Sequence, residues 1–182
     1  MYVLRGGLRM SDLLDQVTSD QDPFTKIASK VPGFSGYIER QSRRAADKIL
    51  RETIGDLFKE LWKRVGNVQQ DMVSQGDLSN LDDMEKAATK IQTFIDKITG
   101  ASYGYAGFFD AIKINEEELS KIYEFDAAML EYFDTISRAI DNVEASMGSD
   151  GIHAAISQMV NLTRELVSSF EGRDQVLVSM SE

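Results

Sequence analysis

The chain has 182 residues, 42% of them hydrophobic, with a formal net charge of −10 and no cysteine. That length suits a single domain with an apolar core. The missing thiols exclude disulfides, cysteine nucleophiles and thiolate metal sites, and they fit a cytoplasmic setting.

Charge is distributed unevenly. Residues 1–75 carry 12 Lys/Arg against 10 Asp/Glu, whereas residues 76–182 carry 8 against 20. Most of the surface should therefore repel phosphate, which argues against nucleic acid as a partner. No run approaches the roughly 18 apolar residues of a transmembrane helix.

Residues 1–10 lack the sustained apolar stretch of a signal peptide. They are expected to be disordered, and Met10 is a second candidate start. Short helices are expected over residues 11–31. Asp22-Pro23 supplies an N-cap followed by proline at the first helical position, a helix-start signal. Pro32-Gly33 then breaks the chain.

The next element is a motif that occurs twice. Gly33-Phe34-Ser35-Gly36-Tyr37-Ile38-Glu39 aligns with Gly104-Tyr105-Ala106-Gly107-Phe108-Phe109-Asp110. Both copies read Gly, aromatic, small, Gly, aromatic, apolar, acidic. Phe34, Tyr37, Tyr103, Tyr105, Phe108 and Phe109 are candidate interaction residues, because aromatic side chains are favoured at docking surfaces. The alternative is that they plug the end of a helical assembly.

A long helix is expected from about Gly36 to Ser74. Its stripe of Ala46, Leu50, Ile54, Leu57, Leu61, Val65, Val68 and Met72 follows steps of three and four. A bend near Gly66 and a left-handed cap at Gly76 are expected. Arg40, Arg43, Arg44, Lys48 and Arg51 form a candidate basic stripe on this helix, suited to an anionic surface or to an acidic neighbouring helix. A second helix runs from near Asn80 to Gly100, with Leu81, Met84, Ala88, Ile91, Ile95 and Ile98 on one face.

The third helix opens at Asn115, where Glu118 completes a capping-box spacing. Asp126 falls on its apolar face, and a carboxylate there needs a partner. Arg43 is the expected one, forming a buried ion pair between helices. Gly148 should end this helix. The fourth starts near Ser149 or Asp150, carries Ile152, Ile156, Met159, Thr163, Leu166 and Phe170, and is expected to stop at Gly172. Residues 173–182 are read as a tail.

The prediction is an all-α fold. It is a four-helix bundle over residues 32–172, made of two helical hairpins, residues 33–99 and 104–171. Its first and third helices are long, and short N-terminal helices precede it. The 71-residue offset of the motifs raises a duplicated hairpin as a hypothesis.

The segments Pro32–Arg40 and Tyr103–Ala111 resemble those of a group of helical prokaryotic proteins to which no activity is attached. The resemblance implies a helical fold and no site. The outline of a basic first helix followed by acidic helices is also similar to membrane-remodelling scaffolds of the phage-shock type.

Catalytic chemistry is sparsely represented. The single histidine, His153, stands three residues after Asp150, whereas a di-iron bundle takes a Glu-x-x-His pair from each of two helices. No catalytic residue, cofactor or metal ligand is assigned. The expected function is that of a non-enzymatic interaction or scaffold protein, self-associating into a homo-oligomer. A peripheral membrane adaptor using the basic stripe and a ligand- or metal-binding bundle are the alternatives.

Overall fold

The computed structural model describes residues 22–101 and 115–179. Within them the chain is all-helical. The elements are α1 (Pro23–Lys30), α2 (Arg43–Gln75), α3 (Leu81–Gly100), α4 (Glu116–Ser146) and α5 (Ile152–Ser179).

Helix α1 begins as its sequence dictates. The Asp22 carboxylate accepts from Thr25 N at 2.9 Å, and Pro23 occupies the first turn. It lies on α4, with Ile27 and Val31 fully buried and ion pairs from Lys26 to Glu131 and from Lys30 to Asp134.

Helix α2 starts at Arg43, seven residues later than the expected Gly36. The reason is local. Gly36 has φ of +79°, outside the right-handed helical region. The Arg43 side chain also folds back to donate to the Tyr37 carbonyl at 2.6 Å and to that of Ile38 at 3.4 Å, holding this segment as an irregular lead-in. The helix then runs unbroken through Gly66 to Gln75. Gly76 ends it with φ of +76°.

Helix α4 carries the predicted capping box. Asn115 accepts from Glu118 N at 2.8 Å, while Glu118 accepts from Asn115 N at 2.9 Å. Helix α5 departs most from expectation. It begins at Ile152, passes Gly172 without stopping and continues to Ser179. A Cβ at Gly172 would make only an ordinary contact with the Phe125 ring, at 3.5 Å, so the position is a regular helical one and not a terminus. Residues 173–179 therefore belong to the helix and not to a tail.

Each long helix packs mainly against two others: α2 against α3 and α4, and α5 against α3 and α4. Phe58, Phe94 and Phe170 mark the shared core, with ring centroids 4.5 Å apart for Phe58–Phe94 and 5.5 Å for Phe94–Phe170. Phe133 of α4 adds an edge contact to Phe58 at 6.0 Å. The predicted stripes are the buried faces, apart from half-buried positions such as Leu57 and Leu81.

Candidate functional site

Two places concentrate chemistry or shape. The first is a buried polar layer where the start of α2, the end of α3, the start of α4 and the end of α5 come together. Arg173 of α5 is its hub. Its Nε donates to Asp126 Oδ1 at 2.6 Å, and its Nη2 donates to Asp47 Oδ1 at 3.1 Å. Arg51 Nε donates to Asp47 Oδ2 at 2.7 Å, and Arg51 Nη1 reaches the Ile98 carbonyl of α3 at 3.3 Å. The Tyr37 hydroxyl donates to Asp126 Oδ2 at 2.7 Å. The layer thus joins two guanidiniums, two carboxylates and a phenol, none more than 6% exposed.

The two carboxylates balance the two guanidiniums, which is the condition for tolerating buried charge. Burial nevertheless pushes the Asp126 carboxyl above its ordinary range, against the opposing pull of Arg173. Burial, reinforced by Asp126, holds the Tyr37 hydroxyl well above the usual phenol value. Tyr37 therefore acts as a neutral donor.

Tyr37 also anchors an aromatic cluster. Its ring stacks on Tyr123 at 5.4 Å and meets Phe34 edge-on at 5.4 Å, while Phe24 meets Tyr123 edge-on at 5.8 Å. The Tyr123 hydroxyl accepts from Tyr37 N at 2.8 Å. The first Gly-aromatic motif is thus folded inward. Phe34 and Tyr37 are core residues, which corrects their reading as a docking surface. Tyr103, Tyr105, Phe108 and Phe109 lie outside the described residues.

The other sequence candidates are also redistributed. Asp126 is buried and ion-paired as expected, but its cation is Arg173 rather than Arg43. Arg43 is 4% exposed and engaged with the Tyr37 and Ile38 carbonyls. The basic stripe divides for the same reason. Arg43 and Arg51 point inward, while Arg40, Arg44 and Lys48 remain exposed. His153 is exposed in the first turn of α5. Among the described residues, no group of three or more His, Cys, Asp or Glu side chains is placed to hold a metal. No helix among them is long and apolar enough to cross a membrane.

Sequence reasoning missed Arg173. A signal for it was present. The stripe Leu166, Phe170 continues by steps of three and four to Arg173 and Leu177, both buried. Reading Gly172 as a terminus cut that stripe short.

The second place is a groove of about 690 Å3 on the outer face of the α2–α3 pair. Trp62, Gly66, Gln69, Gln70 and Val73 line its α2 side. Trp62, the single tryptophan of the chain, is 43% exposed, and Val73 is 55% exposed. Gln69 Nε2 spans to Glu85 Oε2 of α3 at 3.0 Å.

No family model matches the chain, and no curated protein or solved structure matches it either.

Proposed function

We propose that the protein is a non-enzymatic interaction or scaffold module that self-associates. Its four long helices form a four-helix bundle of two hairpins, α2–α3 and α4–α5. The pairwise contacts among these helices support that arrangement, since each packs mainly against two of the others and α1 packs against α4.

One observation carries the functional reading. The layer of Tyr37, Asp47, Arg51, Asp126 and Arg173 is sealed, and its charged groups bind one another across the helices. A catalytic acid or base has to reach a substrate, and these groups are turned away from any. Their arrangement suits bracing helix ends. Among the described residues the exposed large apolar side chains are Ile38, Trp62, Val73 and Leu78, and two of them, Trp62 and Val73, stand on α2.

The division of the basic stripe weakens the membrane-adaptor alternative, because two of its five cations serve the interior. Light scattering of the full chain over a range of concentrations tests the proposal. The expected mass rises above the 20.4 kDa of one chain. A mass that stays at one chain throughout would remove self-association as the function.

A further inference from the structure

Gly66 sits in the interior of the 33-residue helix α2. Glycine weakens a helix interior, and nothing among the described residues requires it there. A Cβ at Gly66 would find no atom of the described residues within 4 Å. The contrast with Gly55 on the same helix is direct, since a Cβ there would lie 3.0 Å from Thr99 Cγ2. Gly55 serves a contact within the chain. Gly66 opens the α2 backbone towards the outside.

The surroundings of Gly66 are self-complementary. Gly66, Gln69, Gln70 and Val73 stand at i, i+3, i+4 and i+7, the four positions that make a hole on a helix surface for one knob of a facing helix. Trp62, one turn before Gly66, projects as a knob of suitable size. A second α2 crossing this one antiparallel, with Gly66 against Gly66, places each Trp62 over the other copy's hole. That is the geometry of an isologous two-fold contact.

The same register brings opposite charges together. In it, Lys63 of the second copy lies level with Gln69, the residue hydrogen-bonded to Glu85 across the groove. Lys63 and Glu85 are both exposed. Among the described residues neither forms an ion pair within the chain.

We infer that the occupant of this groove is a second copy of the chain. The two α2 helices cross antiparallel at Gly66, Trp62 of each copy fills the other's hole, and Lys63 of each meets Glu85 of the other. This inference rests on the self-association reading and gives it a surface and a register.

Charge reversal in the full chain tests the contact. In K63E and in E85K, the two symmetry-related pairs become like-charged, and each variant alone should dimerise at least roughly tenfold more weakly than wild type. An equimolar mixture of the two should recover the wild-type dimer as a heterodimer, because both pairs are then opposite in charge. Recovery on mixing requires folded chains, so it separates loss of contact from loss of fold. Trp62 emission should shift to the blue as the wild type dimerises and should stay unshifted in G66R. A wild type that remains monomeric at every concentration overturns self-association and this contact with it. A wild-type dimer that is indifferent to K63E, E85K and G66R, or a mixture that fails to recover, overturns the α2 crossing alone.

Discussion

Arg173 Nε donates to Asp126 Oδ1 at 2.6 Å in a region where both residues are 1% exposed, and the same guanidinium reaches Asp47 at 3.1 Å. One cation from the last turns of α5 thus answers carboxylates on α2 and α4. Removing one partner of a buried pair leaves the other charge uncompensated, which costs about 3–5 kcal/mol. Arg173→Met is expected to lower the guanidinium chloride unfolding free energy by that amount. A loss below about 1 kcal/mol would mean that the two carboxylates do not depend on this cation.

Asp126 makes a pH-dependent contribution of defined sign. Burial raises its folded pKa, with Arg173 opposing. The folded chain therefore holds this proton to higher pH than the unfolded chain does. The associated stability is fully present below the unfolded carboxyl value of about 3.9 and is lost as pH rises through the raised folded value. Relative to Asp126→Asn, which does not titrate, the wild type should lose stability across that window. Urea midpoints of both proteins at a series of pH values measure the difference. A wild type that gains on the variant as pH rises would show that Arg173 outweighs burial.

Two glycines of the first motif share a backbone conformation and differ in surroundings. Gly33 has φ of +81° with nothing within 4 Å of a Cβ, whereas at Gly36 (φ +79°) a Cβ would meet the Tyr123 hydroxyl at 2.7 Å and the Phe24 ring at 3.0 Å. Gly33→Ala should cost only the left-handed backbone term, about 1–2 kcal/mol. Gly36→Ala should cost more, because it also displaces the hydroxyl that accepts from Tyr37 N. Thermal melts of the two variants give the comparison, and equal losses would show that the cluster accommodates the methyl group.

Gly66→Ala separates folding from association. With open space around the new Cβ, the substitution should stabilise the monomer by about 0.5–1 kcal/mol through improved helix propensity. It should also weaken self-association, because it thickens the helix at the proposed crossing. Unfolding at low concentration and light scattering at high concentration read the two effects separately. A stability gain with unchanged association would place the contact elsewhere.

Local signals in the sequence predicted the helices well because their causes are local. Asp22-Pro23 and the Asn115/Glu118 box cap helices through bonds three residues apart, and the Gly76 terminus needs only a left-handed residue. Long-range contacts are not legible for the complementary reason. Asp126 read correctly as a buried carboxylate, since its position on an apolar face follows from helical spacing. Its partner did not, since Arg43 and Arg173 lie 83 and 47 residues away along the chain and spacing does not rank such candidates. Gly172 carries the composition of a helix end, yet α5 continues past it because Arg173 and Leu177 are buried against the other helices.

The sequence by itself determined an all-helical chain, the faces its helices bury and the placement of a carboxylate inside. Periodicity and capping are encoded within a turn or two. The tertiary structure alone decided which cation neutralises that carboxylate, and that the Gly-aromatic motif around Phe34 and Tyr37 turns inward. It also decided that Trp62 and Gly66 face outward from α2. Those outcomes depend on which helices become neighbours, and buried charge and close packing are settled only where separate segments meet.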